Sequence, residues 1–110
     1  MGTNLLGSGA KRSDMRVIGR DKLEAFCDKH TDARRWIENW LADAELAAWN
    51  SPQQIKNRYP SASFLAENRV IFNVKGNDYR LEVLIAYRTS VAIVEWIGTH
   101  ARYDIRDKKR

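Results

Sequence analysis

The sequence predicts an α+β domain in which N-terminal helices pack on one face of a small antiparallel sheet. Three observations carry that expectation. Apolar residues recur at three- and four-residue steps through the first half of the chain, and from Arg69 onward the spacing switches to strict alternation. The chain has 110 residues, 44% of them hydrophobic, enough for one compact core and too few for two. Only two prolines and six glycines interrupt it, which excludes collagen-like repeats and argues against disorder.

Residues 1–14, MGTNLLGSGAKRSD, follow neither period and stop before a second methionine, Met15. They read as a cloning scar or disordered leader, with a native arm that touches nucleic acid as the alternative. The domain is therefore expected over 15–110. Arg16 to Gly19 is a short apolar run suited to an edge strand. Asp21 and Glu24 have the spacing of a capping box, opening a helix whose apolar side is Leu23, Phe26 and Cys27. Thr31 or Asp32 caps a longer second helix. Ala33, Trp36, Ile37, Trp40, Leu41, Ala44 and Ala48 share one of its faces. Ser51-Pro52-Gln53-Gln54 places a Ser cap, a Pro at the first helical position and a Gln at the third. Pro60 ends that third helix by Tyr59.

In the second half Val70, Phe72 and Val74 alternate with Arg69, Ile71 and Asn73. Past a two-residue turn at Gly76-Asn77, Tyr79, Leu81, Val83 and Ile85 alternate with Arg80, Glu82 and Leu84. A third strand runs from Val91 to Thr99, completing a meander. The first turn sets Val74 against Tyr79, Asn73 against Arg80, Phe72 against Leu81 and Ile71 against Glu82. A two-residue loop at Thr89-Ser90 sets Leu84 against Glu95, Glu82 against Ile97 and Arg80 against Thr99. Helices cover the apolar face. The opposite face then presents Arg69, Asn73, Lys75, Arg80, Glu82, Glu95 and Thr99. The tail from Arg102 to Arg110 is too short to read as either a helical turn or a frayed end.

Nineteen Lys and Arg against fourteen Asp and Glu give a net charge of +5, which favours an anionic partner such as nucleic acid or an acidic protein. A single cysteine, Cys27, leaves no intramolecular disulfide and fits a reducing cytosol. No apolar run reaches the ~18–20 residues of a membrane span, so a cytoplasmic protein is expected. Two histidines, His30 and His100, with no CxxC or HExxH, show no metal-ligand spacing, and no Gly-rich phosphate loop exists. No cofactor is expected. Cys27 and His30 are three apart on a helix, but Cys27 lies on the apolar stripe and reads as a structural thiol. Trp36 and Trp40 read as core.

The residues that carry chemistry are Asn73, Lys75, Asn77, Arg80, His100 and Tyr103. The plain reading is a solvated sheet face on which Arg80 neutralises Glu82. The sharper reading is an RNA-cleaving groove. Attack of a ribose 2′-hydroxyl on its own phosphate needs a cation on the developing phosphorane, a proton acceptor and a proton donor. Arg80 offers a two-pronged phosphate contact. His100 is the nearby side chain suited to exchange protons near neutrality, and Tyr103 suits stacking or proton donation.

The stretch RVIFNVKGNDYRL (69–81), followed by Thr99-His100 and Tyr103-Asp104, resembles HigB-type toxins of the RelE/ParE superfamily. The upstream segment Ser51-Pro52, Lys56, Tyr59-Pro60 is similar to that family as well, so the resemblance spans Met15 to about Ile105. It implies a RelE-like fold and the toxin of a type II toxin–antitoxin pair: an endoribonuclease that cuts messenger RNA, commonly on the ribosome. It also implies a HigA-like antitoxin with a helix-turn-helix domain, the pair together binding operator DNA. By position the family's motif residues fall on Asn73, Asn77, Arg80, His100 and Tyr103. Asn77 reads as a turn residue that tolerates positive φ, and Lys75 stands where relatives often lack a base. Arg80, His100 and Tyr103 are the expected catalytic residues; Asn73, Lys75, Arg69 and Asn77 are expected to bind RNA. Two other readings remain: a ParE-like toxin that poisons a topoisomerase, and a non-catalytic RNA-binding module.

Overall fold

A computed structural model describes residues 15–108; the leader expected over 1–14 lies outside them. The elements run β1 (Arg16–Ile18), α1 (Arg20–Lys29), a 3₁₀ turn (Thr31–Ala33), α2 (Arg34–Ala47), α3 (Pro52–Arg58), β2 (Ser63–Leu65), β3 (Arg69–Val74), β4 (Tyr79–Ala86), β5 (Val91–Thr99) and α4 (His100–Lys108). The strands form one sheet in the order β1-β5-β4-β3-β2. The α+β class is as expected. The sheet is mixed rather than wholly antiparallel, because β1 lies parallel to β5 with Arg16 opposite Val91. The short edge strand β2, antiparallel to β3, has no counterpart in the expected meander.

The helices bury the apolar face as their periodicity requires. Ala33 of the 3₁₀ turn and Ile37, Trp40 and Ala44 of α2 join Leu23 and Cys27 of α1 and Ile55 of α3 against Val70, Phe72, Val74, Leu81, Val83 and Ile85. Trp40 meets Phe72 edge-on with ring centroids 5.4 Å apart, and Trp49 stacks on the same ring at 6.0 Å. Burial pushes the Cys27 thiol up from its ordinary pKa, as suits a structural cysteine.

The helix starts differ from expectation. No side chain caps α1. Its N-cap is Gly19 at φ 97°, and a Cβ there would lie 3.0 Å from the Val94 Cβ and carbonyl oxygen. A glycine therefore lets the chain turn from β1 into α1 against β5, and Glu24 is drawn instead into a bidentate pair with Arg34. Thr31 and Asp32 form a 3₁₀ turn and do not cap α2. Ser51 occupies the N-cap of α3 without a side-chain hydrogen bond, while the Gln54 Oε1 accepts from the Asn50 N–H at 2.8 Å.

The β3–β4 register is as expected from Ile71 opposite Glu82 to Val74 opposite Tyr79. The turn between them places its positive φ on Lys75 (52°) and Gly76 (69°), not on Asn77. The β4–β5 register needs correction. Ala86 lies opposite Val91, so four residues form the loop, and a bulge at Glu95 shifts the ladder again. Glu82 therefore faces Trp96, Arg80 faces Gly98, and Leu84 faces Ile93. Thr99 lies opposite Tyr79, on the helix-covered face.

The tail forms α4, which crosses the other face of the sheet. No residue of α4 is buried, so polar contacts dock it. Arg106 Nη1 lies 2.5 Å from Glu82 Oε1, and its guanidinium sits 5.2 Å from the centre of the Trp96 ring. Glu82, expected on an open face beside Arg80, is thereby buried.

Candidate active site

Register builds the centre of the site. Antiparallel pairing places Asn73, Arg80 and Gly98 in one row across β3, β4 and β5, on the face away from the main helices. Arg80 Nη1 donates to the Tyr79 carbonyl at 3.2 Å and the Asn77 carbonyl at 3.4 Å; Nη2 donates to Asn77 Oδ1 at 3.5 Å. These bonds are long, and no carboxylate among the described residues pairs with Arg80. Its guanidinium is aimed by the turn and remains open to an anion. Asn73 Nδ2 donates to the Ser61 carbonyl at 3.3 Å, which ties the row to the segment before β2.

The turn carries a second cation. Lys75 Nζ lies 3.5 Å from Asp32 Oδ2 and 3.8 Å from Asp78 Oδ2. Asp32 also accepts from the Tyr79 hydroxyl at 2.8 Å. That hydrogen bond, with Lys75 beside it, holds the Asp32 carboxyl below the ordinary carboxylate pKa, and raises that of Tyr79 in return. Sequence spacing marked Asp32 as a helix cap; its place beneath Lys75 emerges only when the 3₁₀ turn meets the hairpin.

The start of α4 is fastened to the same hairpin. The His100 N–H donates to the Asp78 carbonyl at 3.1 Å, and Thr99 Oγ1 accepts from the Arg102 N–H at 3.2 Å, capping the helix. The His100 imidazole is exposed, with Nε2 3.5 Å from Asp104 Oδ1, an ion pair when the ring is protonated. Tyr103, one turn later, places its ring 6.0 Å from Trp96. Trp96 in turn overhangs Gly98, where a Cβ would come within 2.6 Å of the indole. Neither Trp96 nor Gly98 has a local motif that marks it.

Arg80, Asn73, Asn77, Lys75 and His100 thus gather about one hairpin, with Tyr103 against Trp96 beside it. Arg69 does not join them. It lies four residues back along β3, roughly 13 Å at the usual rise per residue. It is bound by Glu95 at 2.8 Å, Glu67 at 2.9 Å and Glu82 at 3.4 Å. These carboxylates neutralise it, and the hydrogen bonds to Glu95 and then Glu67 raise its pKa further. Glu82 and Glu95 are accordingly held by Arg69 and Arg106, not by Arg80. The gathered groups offer a fixed guanidinium for a phosphate, an imidazole able to exchange protons, and a phenol.

No group of three or more His, Cys, Asp or Glu side chains suited to a metal ion forms among the described residues, and none of their helices is long and apolar enough to cross a membrane. Residues 33–106, from the 3₁₀ turn into α4, match the protein family described as HigB_toxin, RelE-like toxic component of a toxin-antitoxin system. No curated protein matches the chain.

Proposed function

The chain belongs to the HigB family of RelE-like toxins, the toxic components of toxin–antitoxin systems, and so has an antitoxin for a partner; on that premise we propose that it is an endoribonuclease that cleaves messenger RNA in the cytoplasm. The observation that carries this reading is Arg80: a guanidinium on an open sheet face, aimed by Asn77 and without a carboxylate partner among the described residues.

In this reading the ribose 2′-oxygen forms a bond to phosphorus as the bond to the 5′-oxygen breaks, leaving a 2′,3′-cyclic phosphate and a 5′-hydroxyl. Arg80 stabilises the charge that grows on the non-bridging oxygens. The 2′-hydroxyl proton passes to a base and the leaving oxygen takes one from an acid; His100 and Tyr103 are assigned these tasks by their chemistry. Asn73 and Asn77 orient the phosphate, and Lys75 adds positive charge at the rim. The set of reactive groups is small, so much of the positioning comes from outside. A translating ribosome that already grips the codon supplies it, and correct orientation is worth ~7–11 kcal/mol. A HigA-like antitoxin with a helix-turn-helix domain restrains the toxin, and the complex binds operator DNA.

The test is a map of RNA 5′ ends after brief induction. New internal ends in translated messengers are expected with the wild-type chain and not with Arg80→Ala at equal expression. DNA breaks without new RNA ends, or full cleavage by Arg80→Ala, overturn the proposal.

A further inference from the structure

We propose that the groove between α1 and β5 is a track for the single-stranded RNA that flanks the scissile phosphate; this rests on the nuclease reading above and says where the rest of the substrate lies. Two hollows share Phe26, Trp96 and Ile97 and so form one groove. One end is lined by Lys22 and Lys29, the other by His30, Gly98, Thr99 and Arg102. Gly98 is the residue opposite Arg80 on the neighbouring strand, so the groove runs directly off the reactive row.

Charge and ring chemistry identify the occupant. Arg20, Arg34, Arg58, Arg69 and Arg106 each meet a carboxylate. Lys22, Lys29 and Arg102 have none among the described residues. The one acid in the groove, Glu95, is already taken by Arg69 at 2.8 Å. Lys22 and Lys29 are seven residues apart on one face of α1, about 10 Å along the helix, with Phe26 between them. Phe26 stacks on His30 with centroids 4.3 Å apart, and Trp96 forms the facing wall. Cations interleaved with aromatic rings suit a strand whose phosphates and bases alternate. An extended acidic peptide would satisfy the cations but would gain its main-chain bonds from the β5 edge. That edge is occupied: α1 lies along it, and Lys22 Nζ donates to the Glu95 carbonyl at 3.4 Å.

Binding is measured by fluorescence anisotropy with uncleavable 2′-O-methyl oligoribonucleotides, one longer than the groove and one a trinucleotide. Lys22→Ala, Lys29→Ala and Arg102→Ala are combined in one variant. A second variant combines Arg16→Ala, Arg35→Ala and Arg88→Ala, which remove the same charge away from the groove. All six residues are exposed, and unchanged circular dichroism and thermal midpoint establish folding. The groove variant is expected to bind the long RNA at least tenfold more weakly, with a salt slope shallower by about 2 for three lost phosphate contacts. Its affinity for the trinucleotide and the long-RNA affinity of the second variant stay within twofold of wild type. Equal losses in the two variants, or an unchanged groove variant, overturn the track. A polyglutamate peptide that binds through the same three residues while RNA does not also overturns it, in favour of an acidic protein. Cleavage is scored separately in a translation extract. Loss of groove binding in a chain that cuts no messenger would defeat the nuclease reading and leave the track standing; Arg80-dependent cutting with an unchanged groove variant would do the reverse.

Discussion

Replacing Arg106 by alanine tests whether a buried charge pair docks α4. The Glu82 side chain is 2% exposed and Arg106 35%, with 2.5 Å between Nη1 and Oε1. Removing one partner of a fully buried pair costs about 3–5 kcal/mol, because the other charge stays out of water. Two facts lower that figure here. Arg106 is one-third exposed, so solvent screens part of its attraction. Arg69 Nε also remains 3.4 Å from the other carboxylate oxygen. The contact with Trp96 adds back about 0.5–1 kcal/mol. The expected loss is about 2–3 kcal/mol, or roughly 8–24 °C in melting temperature for a domain of this size. Urea and thermal unfolding followed by circular dichroism measure it, and hydrogen exchange reads the opening of α4. Adding Glu82→Gln should recover about 1 kcal/mol or more, since a neutral amide no longer needs the cation. A loss below ~0.5 kcal/mol for Arg106→Ala, or a double variant as weak as the sum of its parts, would refute the clamp.

Arg80→Lys keeps the charge and loses the fork, so messenger cleavage in a translation extract should fall about a hundredfold while the thermal midpoint holds, since only long bonds to Asn77 and Tyr79 are lost. Gly98→Ala should displace the Trp96 indole, cost about 1–3 kcal/mol in urea unfolding and change tryptophan fluorescence; an unchanged spectrum would contradict the close approach. The Tyr59 hydroxyl donates to Asp43 at 2.5 Å, and burial together with that bond holds the phenol's pKa well above its ordinary value. The unfolded phenol ionises near pH ~10 and the folded one higher, so the stability it adds is complete below pH ~10 and is lost as pH rises toward the folded value. Tyr59→Phe should therefore lose less stability than wild type between about pH 8 and about pH 11 in urea titrations. Equal losses would place the alkaline sensitivity elsewhere, with Tyr79 or Tyr87.

The parts of the fold that rest on one buried face were legible. The α2 stripe and the β3–β4 register follow from periods of 3.6 and 2, because a one-residue slip would expose Phe72 or Leu81. The β4–β5 register was not, since neither a four-residue loop nor a bulge at Glu95 leaves a periodic trace. Alternation placed Glu82 on the correct face, yet its burial depends on α4, whose contacts are charged and carry no apolar stripe to read. Gly19 was visible as a glycine, but Asp21 and Glu24 had the more familiar capping spacing; the deciding fact is how closely β5 approaches. In the site, the pairing of Asn73 with Arg80 follows from the hairpin alone. The fastening of His100 to Asp78 needs the end of β5 to return beside the turn, a contact between distant parts of the chain.

The parallel pairing of β1 with β5 has a consequence for the order of assembly. Arg16 meets Val91 only after some 75 intervening residues have been made. At ~5–20 residues/s a ribosome takes roughly 4–15 s over that stretch, during which Val17 has no strand beside it. Closing so long a loop costs entropy before any ladder bond repays it, so β1 is expected to dock late. Arg80, His100 and Tyr103 also follow the first three helices in the chain. A nascent chain would therefore carry α1 to α3 long before it carries a working centre, and the interval between the two is set by elongation speed.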